Sequence, residues 1–379
     1  GISRVRRKYL HRAVAEGLEN TGAGQLDHIA AQIATHYDAA GIVEKAIDYY
    51  ELAAECVRRV YAKQETVNLL QQALRLLRTL PESRQRHRRE LALLVALGQS
   101  LANVTTFEVT LMRDVYERAY FLSRQLAVPL HPSLLRVLAI HKLGQRDFGQ
   151  AQAMGQQLIE IARQQTTDDD KVIYLEGCYV LGVTAFWQGY FPQARAYLQQ
   201  VVDAYERVRQ ERHIMEFGQD TGIYCRVRLG WILWYLGYPE QARQQCEAAL
   251  DCARKLQHPF TSYLVSTYSA WCACDGRDFY RAEPLVHSLR GDQDSTALLR
   301  DNTFSFLEDW CLLLRGKADA GIKQLSERVA LQRKSAVHIP YLHIVVLLTG
   351  AYKQMGDYEQ GLAMFMEAFA LIGDSQDYW

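Results

Sequence analysis

Apolar residues recur every three or four positions along almost the whole chain, which is the period of one face of an α-helix. The stripe Ala194, Leu198, Val201, Val202 and Tyr205 is one example. The pattern predicts an all-α protein, and it leaves no long segment without a helix. The predicted helices lie near 3–19, 25–40, 43–60, 63–79, 84–102, 107–125, 132–144, 147–164, 170–188, 192–208, 220–236, 239–256, 260–275, 279–290, 297–315, 318–333, 340–355 and 358–372.

A second pattern repeats along the chain. One residue ends a helix, a short turn follows, and five positions later a small residue opens the next helix. A glycine at the first position can adopt the left-handed cap conformation, and a small residue at the second lets two helices approach closely. From Ala151 onwards the second members are 43, 48, 40, 39 and 40 residues apart, which indicates one antiparallel helix pair per repeat. The pairs are Gly41/Ala46, Arg146/Ala151, Gly189/Ala194, Gly237/Ala242, Arg277/Ala282, Gly316/Gly321 and Gly356/Gly361.

These units resemble the tetratricopeptide repeat. The best copy is LLTGAYKQMGDYEQGLAMFMEAF, and Leu-Gly also stands at 181–182 and 229–230, seven residues before a turn glycine. The departure is length, since most units have about 40 residues instead of about 34. The resemblance covers residues 25–379 and implies a right-handed superhelix, a solenoid of antiparallel helix pairs. The matching residues of the best copy are Leu348, Ala351, Tyr352, Gly356, Tyr358, Phe365 and Ala368.

Several longer stretches are similar to a narrower group, the repeat region of bacterial signal-transduction ATPases with numerous domains. That group includes proteins built like the maltose-regulon activator and multidomain proteins with a nucleotide-cyclase or kinase domain. The stretches are 6–19, 33–55, 76–101, 181–198, 217–242 and 258–272.

In this group a nucleotide-hydrolysing module precedes the repeats. The resemblance implies that residues 1–24 end a winged-helix or linker segment and that 25–379 form a sensor. We therefore expect a fragment of a longer protein, because the chain starts without Met and has no phosphate-binding loop: Cys311 stands where Gly316-Lys317 would need a glycine.

The function that this resemblance implies is that of a cytoplasmic, non-catalytic sensor. It would bind a protein, peptide or small-molecule effector in the concave groove and control activation and oligomerisation of the parent through its own NTPase module. The alternative is a structural scaffold that packs within its own parent or forms a homo-oligomer, with no ligand in the groove.

Composition narrows the list of partners. Lys plus Arg and Asp plus Glu both number 43, so the net charge is zero and no large phosphate-binding surface is indicated. No nucleic acid is therefore expected as a partner. No run of about 18 to 20 apolar residues is present, so no membrane partner is expected either. The eight cysteines lack paired spacing, which favours reduced, buried thiols.

No motif of a hydrolase, a metal site or a calcium loop occurs. Cys272 and Cys274 come nearest, but residues two apart on a helix face different directions and cannot easily share an ion. The sequence therefore predicts no enzyme activity, no metal and no cofactor.

The candidate ligand-binding residues are mainly aromatic. In a tetratricopeptide array the first helix of each pair lines the groove, and the slot just after the Leu-Gly glycine holds Trp231, Trp271 and Trp310 in successive repeats. Two interpretations stay open: large rings that close a tightly wound inner wall, or a strip that binds a ligand. The predicted ligand-binding residues are Tyr179, Phe186, Trp187, Asp220, Arg226, Trp231, Trp234, Tyr235, Trp271 and Trp310.

The loop before Tyr224 carries a further alternative. Asp220 or Thr221 can cap the helix that begins near 221. Alternatively, Asp220 helps Arg226 and Arg228 to hold a polar group of the ligand.

Overall fold

The chain is built from α-helices. The computed structural model describes residues 3–21, 26–59, 63–101, 109–164, 168–205, 212–289, 306–332 and 339–373, and within these ranges it contains no β-strand. The helices are α1 (Arg4–Thr21), α2 (Leu26–Ala40), α3 (Val43–Arg59), α4 (Lys63–Leu77), α5 (Arg84–Leu101), α6 (Val109–Leu126), α7 (Pro132–Gly144), α8 (Phe148–Gln164), α9 (Asp168–Trp187), α10 (Phe191–Ala204), α11 (Thr221–Tyr235), α12 (Pro239–Leu256), α13 (Pro259–Asp275), α14 (Phe279–Ser288), α15 (Phe306–Leu314), α16 (Ala318–Gln332), α17 (Ile339–Met355) and α18 (Tyr358–Gly373).

These bounds confirm the helices that the hydrophobic period predicts, to within a few residues at most ends. The start of the predicted helix at 297–315 lies outside the described residues. One element was not predicted: a π-helical turn at His213–Phe217, which ends at Gly218. Among the described helices none is long and apolar enough to cross a bilayer.

The helices form two compact units, Gly1–Leu134 and Leu135–Trp379. In unit 1, the helices from α1 to α6 each pack on the next one along the chain. The first helix, expected to end a preceding domain, packs on α2, where His11 and His36 approach to 2.8 Å between their Nδ1 atoms.

Unit 2 has two layers. Consecutive helices pack on one another from α8 to α18, and the first helices of successive pairs also contact each other: α9 with α11, α11 with α13, α13 with α15, and α15 with α17. We call these five helices the first-helix layer. Their partners α10, α12, α14, α16 and α18 form the second-helix layer.

The turn between paired helices has one conformation in every predicted repeat. All seven predicted first positions have positive φ, including the two that are arginine: Gly41, Arg146, Gly189, Gly237, Arg277, Gly316 and Gly356. The alanines five residues later, from Ala46 to Ala282, are at most 1% exposed. The sequence frame of the repeat is therefore confirmed.

Two glycines fix how closely the layers approach. A Cβ built on Gly182 would lie 2.4 Å from Leu198 Cδ2, and one built on Gly230 would lie 2.9 Å from the carbonyl oxygen of Ala242. Both distances are too short for a carbon atom, so a side chain at either position would force its neighbours to shift. The Leu-Gly pairs therefore mark the points where α9 meets α10 and α11 meets α12.

This close approach buries the middle of the first-helix layer on almost every side. All residues of α9 from Leu175 to Trp187 are buried, as are those of α11 from Thr221 to Leu233 except Arg226. A helix surrounded in this way belongs to the core of its domain.

We expect Gly230→Ala to lower the free energy of unfolding by about 1–3 kcal/mol, because the methyl group overpacks the α11–α12 crossing. Gly350 is the matched control, since it is exposed, lies within α17 and has no atom within 4 Å of a built Cβ. Gly350→Ala should stabilise unit 2 by roughly 0.5–1 kcal/mol. Urea unfolding of both variants measures the difference, and equal midpoints would contradict the close approach.

Candidate functional site

Aromatic rings from four successive first helices touch one another. Phe186 and Trp187 of α9 lie 4.8 and 5.9 Å from Trp231 of α11, measured between ring centroids. Trp231 lies 4.7 Å from Trp271 of α13, and Trp271 lies 4.9 Å from Phe306 of α15. We call the continuous set the aromatic cluster: Tyr179, Phe186, Trp187, Tyr224, Trp231, Tyr235, Tyr268, Trp271 and Phe306.

The indoles of Trp231 and Trp271, which the sequence places in the repeated slot, lie in contact. Trp310, the third, is buried at 6% exposure on α15, one turn after Phe306. Tyr179, Phe186, Trp187 and Tyr235 of the predicted set also belong to the cluster. The edge-to-face and tilted contacts are those that aromatic rings favour.

The centre of the cluster is closed. Trp231 is 0% and Trp271 1% exposed, so these indoles fill the layer and present no open strip of ring surface. Trp187 and Tyr268 keep 9% exposure each and Tyr235 is half-buried, so these three rings form its edge. A ligand on this face would therefore meet the edge rings first.

Asp275 holds two members of the cluster by their polar atoms. Its Oδ2 accepts hydrogen bonds from Trp231 Nε1 at 2.6 Å and from the Tyr235 hydroxyl at 2.9 Å. Burial and the neighbouring carboxylate both raise the pKa of Tyr235. The hydroxyl therefore stays protonated and remains a donor to Asp275.

Arg228 lies inside the aromatic cluster. Its guanidinium carbon is 3.9 Å from the centroid of Tyr268. The rings of Phe186, Trp187, Tyr224 and Trp231 lie at 5.3–5.4 Å. Its Nε donates to the Tyr224 hydroxyl at 3.0 Å, and the residue is 3% exposed. Cations over aromatic faces are stabilised by the ring quadrupoles, and more strongly away from water.

The predicted arginine, Arg226, is not in the cluster. It is half-buried and reaches Gln245 of α12 at 3.3 Å. Residues two apart on a helix point about 200° apart, so only one of Arg226 and Arg228 can face the rings. The sequence did contain the deciding signal, because Tyr224, Arg228 and Trp231 fall at i, i+4 and i+7 on one face.

Asp220 is the N-cap of α11. Its Oδ1 accepts from the backbone N–H of Ile223 at 2.9 Å, and its Oδ2 accepts from the Tyr205 hydroxyl. Its own N–H donates to Thr261 Oγ1 at 3.2 Å, and the residue is 0% exposed. The predicted capping role is therefore present at Asp220.

A buried polar network lies beside the cluster, and the sequence analysis missed it. Glu176 of α9 accepts from His213 Nδ1 at 2.7 Å and from Thr221 Oγ1 at 2.5 Å. The Nε of Arg136 lies 3.3 Å from Glu176 Oε2. Burial alone would raise the pKa of Glu176, but the hydrogen bond from His213 and the charge of Arg136 outweigh it and lower the pKa. A single acidic residue in the apolar run VIYLEGCYVLG was the available signal.

Trp234 lies elsewhere. It is half-buried against Leu229, Leu233 and Ala242, and it lines a groove of about 670 Å³ between α12 and α14 whose floor is α13. Charged residues border the groove, among them Arg281, whose Nη2 lies 3.3 Å from Glu247 Oε1. We call this the outer groove. Trp234 therefore lines the outer groove, whereas Trp231 and Tyr235 of the same helix belong to the aromatic cluster.

The cysteines form no metal site in the part of the chain that the structure describes, where no three His, Cys, Asp or Glu side chains come together. Cys272 pairs with Cys246, and that hydrogen bond together with burial raises the pKa of its thiol. Cys274 pairs with Cys311 on α15 in the same way. The two thiols thus face different helices and stay protonated.

We expect Glu176→Gln to destabilise unit 2 by about 3–5 kcal/mol, because it leaves Arg136 buried without its carboxylate. Because the folded-state pKa is lowered, the stabilisation is complete above about pH 4.3 and is lost as the pH falls through the folded value. The wild type should therefore lose more stability between about pH 5 and pH 3 than the variant does.

The matched control is Glu160→Gln, at an exposed position of α8. It should change the urea midpoint by no more than about 0.5 kcal/mol. Equal effects of the two substitutions would contradict the buried network.

Comparison with known proteins supports the repeat fold. Residues 178–214 match the family model described as tetratricopeptide repeat, and these residues include α10 and the Leu-Gly pair at 181–182. No curated protein matches the chain.

Two solved structures are similar to the chain. One is a Rap protein complexed with competence and sporulation factor, at 11% identity and a TM-score of 0.58, over 86% of this chain and 97% of that one. Another is a chain of the APC/C hetero-tetramer Cut9–Hcn1, at 12% identity and a TM-score of 0.42, over 97% of this chain and 85% of that one. The chain therefore contains a tetratricopeptide repeat and has a tetratricopeptide-like all-helical fold, which suggests a role in protein interaction or as a scaffold.

Proposed function

We propose that this chain is a non-catalytic interaction module that binds a peptide, or a peptide segment of a partner protein, on the first-helix layer of unit 2. The observation that carries the proposal is the continuity of the aromatic cluster across α9, α11, α13 and α15. Aromatic side chains and arginine dominate the binding energy of protein interfaces. Here both residue types stand on one layer, with Trp187 and Tyr268 at its edge.

The fold gives independent support. The Rap protein that the chain resembles was solved in complex with competence and sporulation factor. An array of helix pairs also offers a partner several successive helices at once, so an extended segment can contact α9, α11 and α13 together.

The finer proposal is that the chain is the cytoplasmic sensor of a bacterial signalling ATPase. It rests on the stretches that resemble such proteins, from 33–55 to 258–272. Ligand binding would favour one of two states of the parent and so control its activation and oligomerisation, through the difference in affinity between the states.

A structural scaffold is the second candidate, and the full burial of Trp231 and Trp271 favours it. A scaffold needs a filled inner layer, which those indoles provide. Substituting Trp231 cannot decide between the two functions, because the loss of a fully buried ring costs about 3–5 kcal/mol of stability whatever the layer binds. The test must therefore use residues at the edge.

A random peptide library selected against the immobilised chain provides ligands for this test. We expect Tyr268→Leu to weaken a selected peptide at least tenfold, about 1.4 kcal/mol, because Tyr268 forms the edge of the cluster. Titration of the intrinsic tryptophan fluorescence gives the dissociation constants, and unfolding midpoints measured alongside show that the variant remains folded.

Tyr280→Leu is the matched control, since Tyr280 is 89% exposed on α14 and borders the outer groove. It should leave the affinity unchanged. A loss of affinity in Tyr280→Leu instead of Tyr268→Leu would move the site to the outer groove and contradict the proposal. A library that yields no peptide binding below about 100 μM would favour the scaffold.

A further inference from the structure

Arg228 carries a buried charge that no carboxylate of the described chain neutralises. Within the described residues its only hydrogen bond is the one from Nε to the Tyr224 hydroxyl, and no Asp or Glu oxygen there comes within 4 Å of its guanidinium. Nη1 is buried and donates to no atom of the residues that the structure describes. Arg136 differs, because its Nε lies 3.3 Å from Glu176.

A guanidinium does not lose its proton in a protein, so this site keeps its positive charge. Aromatic faces stabilise the cation but accept no strong hydrogen bond along Nη1–H, and an unpaired buried charge is unfavourable. The aromatic rings therefore cover the faces of the Arg228 guanidinium, whereas its Nη1–H group lacks a hydrogen-bond acceptor.

We propose that Arg228 is an anion site that binds one carboxylate group, with Nη1 as a donor. The single excess charge matches a monoanion. A phosphate dianion would leave a net negative charge in the same aromatic surroundings, where it is poorly solvated. The planar guanidinium also matches the geometry of a carboxylate.

Trp187 and Tyr268 define the approach to the site. Both are edge rings of the cluster, and both lie against the guanidinium carbon, at 5.3 and 3.9 Å from their centroids. A carboxylate attached to an apolar or aromatic body enters between them, with its body on the rings and its oxygens at Nη1. This inference rests on the proposed function, because it names the chemical group by which the first-helix layer holds its ligand.

Benzoate is the probe, and benzamide is its neutral counterpart of the same shape. At constant ionic strength, benzoate should raise the thermal unfolding midpoint of the full chain saturably, by about 3 °C or more, and benzamide should not. Chloride and inorganic phosphate at equal ionic strength should give no saturable rise. Equal effects of benzoate and benzamide, or a rise that simply follows ion concentration, would overturn the proposal.

Arg228→Met should abolish the benzoate effect, and Arg226→Met, two residues away on the same helix, should retain it. Persistence of the effect in Arg228→Met would overturn the proposal. Arg228→Lys keeps the charge but loses the planar donor pair, so it should weaken benzoate at least fivefold while the protein stays folded. That variant decides the matter if Arg228→Met does not fold.

Library peptides identify the source of the carboxylate. If amidation of the C-terminus weakens a peptide tenfold in the wild type but not in Arg228→Lys, the terminal carboxylate occupies the site. If an acidic side chain changed to its amide has this effect, the side chain occupies it.

The two proposals can also fail separately. Peptides that bind without any carboxylate dependence, together with no response to benzoate, would reject the anion site and leave the proposed function intact. A benzoate effect that depends on Arg228, with no peptide selected, would establish the site and reject peptide binding as the function.

Discussion

The arrangement of unit 2 depends on how the charge of Arg228 is held away from water. The guanidinium is 3% exposed and lies among five aromatic rings from α9, α11 and α13. Each ring contributes a modest cation–π attraction, and the sum must offset much of the cost of desolvating the ion. The three helices are therefore tied to one another through a shared cation as well as through apolar contact. This explains why large aromatic side chains occur on this layer in successive repeats.

Close packing at small residues brings the helices near enough for these rings to surround Arg228. Gly182 and Gly230 let α10 and α12 approach the first-helix layer, and the left-handed turns reverse the chain after each first helix. The first helix of each pair then turns the same face towards the next first helix. Ring centroids one repeat apart come within 4.7–4.9 Å. The filled layer is compatible with a scaffold, whereas the unpaired donor at Arg228 is a feature that a scaffold does not require. That difference is what favours a ligand on this layer.

The repeat could be predicted from the sequence because its determinants are local. A turn residue specifies the C-terminal cap of the first helix, and a small residue five positions later specifies where the two helices cross. Arg146 and Arg277 have positive φ although they are not glycine, so the position in the repeat matters more there than the residue type. The contact between Trp231 and Trp271 followed from the same frame. The choice between Arg226 and Arg228 could also have been made from the sequence, because Arg228 shares one face of α11 with Tyr224 and Trp231. The pairing of Glu176 with His213, 37 residues later and in an unpredicted π-helical turn, depends on tertiary contacts that no local pattern encodes.

A double-mutant cycle on Arg228 and Tyr268 tests the central claim most directly, because Tyr268 is the nearest of the five rings, with its centroid 3.9 Å from the guanidinium carbon. The free energy of unfolding would be measured for the wild type, Arg228→Met, Tyr268→Leu and the double variant. If the Arg228 guanidinium is stabilised by the Tyr268 ring, the two residues should show a favourable coupling energy of about 1–2 kcal/mol. Additivity to within about 0.3 kcal/mol would show that the ring and the guanidinium do not interact, and would contradict this account of the first-helix layer.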